Sequence, residues 1–244
     1  MPPDSSIPHN SPKRKIGLAL SSGMARGWAH IGVIHALKKL GFEFDIIAGC
    51  SIGALVGGCY LAGQLDALET WSRALNKAKI VSYLDMRVRA GGLIGGDKLM
   101  VEMRKYLNHT QIEDLGIPYA AITTDLVSGH EIWLQKGDLA EAMRASFSLP
   151  GIFPPVKMEG RWLADGALVN PLPVAACRAM GADMVIGVNL NADIIGKSRR
   201  PGASVPTAAG FDLLQMLEET EQEEKLSLMD SLTRKIFRRD YDGP

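Results

Sequence analysis

Gly49-Cys50-Ser51-Ile52-Gly53 follows the mostly apolar run Phe44–Ala48 and leads into Ala54-Leu55-Val56-Gly57-Gly58-Cys59-Tyr60, a segment of small and apolar residues. That order predicts a strand, a sharp turn and a helix. Gly49 and Gly53, two before and two after the serine, let the backbone turn tightly enough to expose Ser51 Oγ at the top of a sheet. The N-terminus of the following helix then offers backbone N–H groups to a developing negative charge. Ser51 is therefore a candidate nucleophile. A plain strand-to-helix turn whose glycines only permit close packing would carry the same pattern.

Upstream, Ile16-Gly17-Leu18-Ala19-Leu20 is a short apolar run that ends in Ser21-Ser22-Gly23-Met24-Ala25-Arg26-Gly27, a loop of mostly small residues. Ala29, Ile31, Val33, Ile34, Ala36 and Leu37 then recur at helical spacing, with Lys38-Lys39 in the last turn and Gly41 as the stop. Strand, helix, strand and helix in succession imply a parallel sheet with helices on its faces. Ligands in such sheets sit beyond the carboxyl ends of the strands, where both the small-residue loop and Ser51 fall.

Further along, Leu65–Lys77 and Lys98–Leu107 read as helices and 90–96 as a glycine-rich loop. Tyr119–Thr124 and Glu131–Leu134 read as strands across a turn at Ser128-Gly129, and Leu139–Ser146 as a helix. Arg161–Ala164 is a strand ending in Asp165-Gly166-Ala167, Pro173–Met180 a helix, and Met184–Leu190 a buried strand. Residues 1–13 read as a disordered polar tail, 14–191 as the catalytic domain, and 192–244 as a linker and a charged amphipathic helix. In that helix Leu226, Met229, Leu232 and Ile236 stand beside Arg234, Lys235, Arg238 and Arg239. It is either a solvated helix docked on its own domain or an interfacial membrane contact.

Composition narrows the partners. The 244 residues carry 27 Lys and Arg against 27 Asp and Glu, so no global field draws the chain to nucleic acid. Cys50, Cys59 and Cys177 lie in apolar surroundings without metal-ligand spacing, which suits buried thiols in the cytosol. No window approaches membrane-spanning length.

A serine nucleophile needs a base. The histidines are His9, His30, His35, His109 and His130, none late in the chain, so a triad would have to use His130 with Asp125 or Asp114 before it. A buried carboxylate is a sufficient base by itself. Asp165, at a strand end before Gly166, is the candidate, although Asp-Gly is also a strong hairpin signal.

Together these blocks resemble the patatin-like phospholipases, in particular their bacterial, neuropathy-target-esterase-like branch. The resemblance rests on Ser22-Gly23-Met24-Ala25-Arg26-Gly27, on Gly49-Cys50-Ser51-Ile52-Gly53, on the stretch 145–155 (Ala-Ser-Phe-Ser-Leu-Pro-Gly-Ile-Phe-Pro-Pro) and on Asp165-Gly166-Ala167, in that order over residues 14–191. It implies a three-layer α/β/α sandwich with a mainly parallel central sheet, and hydrolysis of lipid acyl esters through a Ser51–Asp165 dyad and an acyl-enzyme. It also implies an oxyanion hole from the backbone of Gly23 and Met24, Arg26 as support for that loop, no metal or organic cofactor, and a lipid ester substrate. An acyltransferase, or a non-catalytic lipid-binding protein, would use the same fold. The family loop reads Gly-Gly-Gly-X-Arg/Lys-Gly; Ser22 and Met24 replace its first and third glycines, which strains the hole if either position needs a positive φ.

Overall fold

The computed structural model describes residues 13–76, 97–107 and 109–192. The N-terminal tail, the glycine loop at 90–96 and the linker and charged helix after 192 lie outside the described residues. The elements are β1 (Ile16–Leu20), α1 (Ala29–Lys39), β2 (Ile46–Cys50), α2 (Ile52–Leu61), α3 (Leu65–Arg73), α4 (Asp97–Leu107), β3 (Tyr119–Asp125), β4 (Glu131–Leu134), α5 (Leu139–Ser146), β5 (Val156–Met158), β6 (Arg161–Asp165), α6 (Val174–Ala179) and β7 (Met184–Val188).

Among the described residues seven strands form one sheet, hydrogen-bonded in the order β5-β6-β3-β2-β1-β7 with β4 also paired to β3. The pairs β7–β1, β1–β2 and β2–β3 are parallel; those involving β4, β5 and β6 are antiparallel. Alternation along each strand divides the core. Leu18, Leu20, Ile47 and Ala121 pack with α1 to α5 on one face, while Ala19, Ile46, Ala48, Cys50, Ala120 and Ile122 meet Ala176 and Cys177 of α6 on the other. The second face is built largely of alanines. The result is the three-layer sandwich with a mainly parallel sheet, and the three cysteines are buried free thiols.

β3 has three partners but only two edges. Ala121 and Ile122 pair with both β2 and β4, and Thr123 and Thr124 pair with both β4 and β6, so β4 occupies one edge and β2 and β6 share the other. β2 ends at Cys50 opposite Ile122, and β6, running the other way, ends at Asp165 opposite Thr123. The two strand ends meet.

Several boundaries depart from the sequence expectations. β2 is displaced from Phe44–Ala48 to Ile46–Cys50, because Asp45 is held on both sides by Ile16: its N–H donates to the Ile16 carbonyl at 2.8 Å and its carboxylate accepts from Ile16 N at 2.8 Å. The strand therefore runs up to Ser51 itself. α3 ends at Arg73 rather than Lys77. β7 stops at Val188 and is half-exposed rather than buried, since among the described residues it pairs with β1 alone. β5 was not anticipated. Its hairpin with β6 turns at Glu159-Gly160, both at positive φ (47° and 78°), as a two-residue hairpin demands. The hairpin reading of Asp165-Gly166 is thereby replaced, for these residues open a 3-10 turn over Gly166–Leu168.

Candidate active site

Ser51 sits between β2 and α2 with φ 55° and ψ −122°, a conformation costly for any residue with a Cβ. The flanking glycines are required by contact. A Cβ at Gly53 would lie 2.3 Å from the Leu20 carbonyl oxygen, and one at Gly49 would lie 2.5 Å from the Ala54 backbone. The elbow thus packs onto the end of β1 at backbone distance. Ser51 is 6 % exposed, and its carbonyl accepts the N–H groups of Ala54 and Leu55 as α2 begins.

Ser51 Oγ donates to Asp165 Oδ2 at 2.6 Å. Asp165 is 2 % exposed. Its Oδ1 accepts from Ala167 N at 2.8 Å, its backbone N–H donates to the Ser148 carbonyl at 2.9 Å, and its carbonyl accepts from Thr124 Oγ1 at 2.9 Å. Burial pushes the carboxyl up from 3.8 to about 6, against the opposing pull of the Ser51 and Ala167 hydrogen bonds. Cys50 Sγ lies 4.0 Å from Asp165 Oδ1, and its thiol is pushed well above the ordinary range, chiefly by burial and then by the Asp165 charge. It is an inert neighbour.

No histidine is hydrogen-bonded to Ser51 or Asp165 among the described residues. His130 is exposed in the turn before β4. Asp125 is committed to Val127 N at 3.0 Å and to Arg161 Nη1 at 2.8 Å. His30 is fully buried on α1 and donates Nε2–H to the Ser21 carbonyl at 2.8 Å; burial lowers its pKa. His35 faces Glu69 on α3 at 3.1 Å.

The small-residue loop forms a 3-10 turn over Met24–Trp28, with Gly23 at its head in extended φ. Gly27 abuts α2 beside the elbow, since a Cβ there would fall 2.1 Å from Ile52 Cγ2. Met24 takes φ 44°, the left-handed backbone that favours glycine, whereas Ser22 does not. Of the two replaced glycines, one carries strain. Arg26 Nη2 reaches Asn191 Oδ1 at 3.5 Å, and Asn191 Nδ2 donates to the Ser22 carbonyl at 2.9 Å and to Ser22 Oγ at 3.1 Å. Asn191, just past β7, thus ties the loop down, and the sequence held no signal for it.

The stretch 145–155 was legible as a motif, but what its serines do was not. Ser146 Oγ and the Ser148 carbonyl each hold the backbone N–H of one of the paired residues. Arg144, buried, bonds Ser148 Oγ at 2.8 Å and lies over the rings of Phe147 and Phe153, which fixes this segment. Among the described residues there is no cluster of metal-ligating side chains, and no helix is long and apolar enough to cross a membrane.

The sheet and its strand-to-helix elbow define an α/β protein in which a serine and an aspartate are paired at the carboxyl ends of the strands. The patatin-like phospholipase family model matches residues 18–178, and the chain belongs to that family. It is 43 % identical over 185 residues to an uncharacterized NTE family protein of Mycobacterium tuberculosis (strain ATCC 25618 / H37Rv), covering 76 % of this chain and 51 % of the relative. It is 35 % identical over 182 residues to human patatin-like phospholipase domain-containing protein 6, covering 72 % of this chain and 13 % of that one. Lysophospholipase NTE1 of Mycosarcoma maydis is 36 % identical over 180 residues, 72 % of this chain and 10 % of its own. The chain therefore spans about half the length of the mycobacterial relative and a small part of the others. Among solved structures, VipD from Legionella pneumophila shares the fold with a TM-score of 0.53 at 15 % identity, over 66 % of this chain and 47 % of that one.

Proposed function

We propose that the chain is a serine acyl hydrolase that cleaves lipid acyl esters, of phospholipid or lysophospholipid, through a Ser51–Asp165 dyad. The observation that carries this reading is the 2.6 Å hydrogen bond between two buried side chains at the carboxyl end of the sheet, with the carboxyl pushed up to about 6. Desolvation makes the carboxylate a stronger base than an exposed one, which narrows the gap to the serine hydroxyl. Ionised Asp165 takes the Ser51 proton as Oγ attacks the ester carbonyl, and returns it to the departing alcohol. Water, activated by the same carboxylate, then cleaves the acyl-enzyme.

The developing oxyanion needs donors near Ser51 Oγ. The serine's own N–H is committed to Ser146 Oγ at 2.9 Å, so the donors fall to the Gly23 and Met24 backbone and the first turn of α2. Arg26 and Asn191 hold that loop. The relatives named as lysophospholipases support a lipid ester as substrate.

The test is reaction with a fluorophosphonate probe, followed by intact mass and then by a panel of short- and long-chain acyl esters. A single adduct on Ser51, lost in Ser51→Ala, together with hydrolysis lost by orders of magnitude in Ser51→Ala and Asp165→Asn, is expected. Absence of any adduct on the folded wild-type protein would refute the reading in favour of a lipid-binding protein without catalysis.

A further inference from the structure

Ser146 is the last residue of α5, fully buried, and its single hydroxyl proton has one destination. Its Oγ lies 2.6 Å from the Ile122 carbonyl oxygen, which can only accept, and 2.9 Å from Ser51 N, which can only donate. The direction of the chain is therefore fixed: Ser51 N–H to Ser146 Oγ, and Ser146 O–H to Ile122 O. Ile122 is the β3 residue paired with Cys50, immediately before the elbow. A residue at φ 55° persists there only when its surroundings over-determine it. The carbonyl side of Ser51 is held by α2, and the amide side is held by this hydroxyl alone among the hydrogen bonds of the described residues.

We infer that Ser146 is a positioning residue for the nucleophile, a buried hydroxyl bracket that holds Ser51 in its left-handed elbow by tying its N–H to β3. The bracket also withdraws that N–H from oxyanion binding. Ser146 touches no reacting atom and acts through Ser51, so the inference rests on the reading of Ser51 as the nucleophile.

Ser146→Ala leaves the Ser51 N–H and the Ile122 carbonyl without partners and frees the elbow to relax. Misplacement of a nucleophile by about 1 Å costs on the order of 10²-fold in rate, so fluorophosphonate labelling and kcat on a soluble short-chain ester fall about that far, with KM within about threefold. The pH midpoint of kcat/KM stays near 6, because Asp165 remains dry. Tyr119→Phe is the comparator: it removes another buried hydroxyl bound to α2, at the Ala54 carbonyl 2.7 Å away, and keeps labelling within about threefold of wild type.

Ser146→Cys nearly keeps the volume but offers only a weak sulfur acceptor, and reads a smaller loss in the same direction, about tenfold, if the alanine variant does not fold. A wild-type labelling rate in either folded Ser146 variant overturns the inference. So does a loss matched by Tyr119→Phe, or one accompanied by a fall of the pH midpoint into the ordinary carboxylate range, which would report a wet, loosened core. Failure of the wild-type protein itself to label strikes the reading of Ser51 instead, and is thereby distinguished.

Discussion

Asp165→Asn should stabilise the protein at alkaline pH while abolishing hydrolysis. Burial raises the carboxyl from 3.8 to about 6, and at about 1.4 kcal/mol per pH unit, holding it ionised in the folded state costs about 3 kcal/mol. The sign follows from proton uptake. Between about pH 4 and 6 the unfolded chain has lost this proton and the folded protein keeps it, so stability falls as pH rises through that window. Above pH 6 the full cost is present; below pH 4 there is none. Asparagine removes the charge and keeps the packing. Its amide oxygen still accepts from Ala167 N and its NH₂ donates to Ser51 Oγ, so of the existing hydrogen bonds only the acceptor of the Ser51 hydroxyl proton is lost, a cost smaller than that of the buried charge. At pH 8 the variant should gain about 2–3 kcal/mol, or about 4–12 °C in Tm for a domain of this size, with the gap closing by pH 4. Calorimetry or urea titration of both proteins at pH 4, 6 and 8 measures it. A gap equal at pH 4 and pH 8, or a less stable variant at pH 8, would show that Asp165 is not desolvated in the folded protein.

Other expectations follow from the same geometry. The kcat/KM of wild type on a soluble ester should rise with pH through about 6 as Asp165 ionises, with no second rise from a histidine, and a midpoint near 4 would contradict the burial. His130→Ala should leave most activity, since the ring is exposed in a turn; a dead variant would restore the triad. Met24→Gly relieves a left-handed methionine and should raise kcat at least about tenfold, part of the 10²–10³ that one oxyanion donor is worth; unchanged kcat would mean that the strained loop already aims its amides correctly. Gly32→Ala, on the exposed face of α1 with open space around the added Cβ, should add about 0.5–1 kcal/mol by urea titration, whereas Gly53→Ala should destroy the elbow.

What the sequence disclosed followed from how local each signal is. The periodicity of Ala29–Lys39 and Leu139–Ser146 depends on the segment itself, and both helices were legible to the residue or nearly so. β2 was displaced because Asp45 looks like any polar strand residue until it is seen bonded to Ile16 across the sheet. β5, three residues long, is defined by its partner and the Glu159-Gly160 turn rather than by its own pattern. In the site, Ser51 and Asp165 carried motif signals. Ser146 and Asn191 are a serine at a helix end and an asparagine after a strand, residue types common at such positions, and their contacts bridge 95 and 169 positions of sequence.

The pairing of Ser51 with Asp165, 114 positions apart, is a consequence of mixed strand direction. In a purely parallel sheet the carboxyl ends of neighbouring strands lie side by side, one strand spacing of about 4.8 Å apart, and their loops open together toward solvent. Here β6 runs against β2 on the same edge of β3 and halts where β2 halts, with Cys50 opposite Ile122 and Asp165 opposite Thr123. The two ends close on each other alongside β3, and their side chains meet where no strand spacing intervenes, both of them buried. The strand directions thus bring the two residues together, and the burial there is what sets their chemistry. That burial raises the basicity of Asp165, and it also destabilises the folded protein above pH 6, so the group that would make Ser51 reactive is the group whose neutralisation should make the domain firmer.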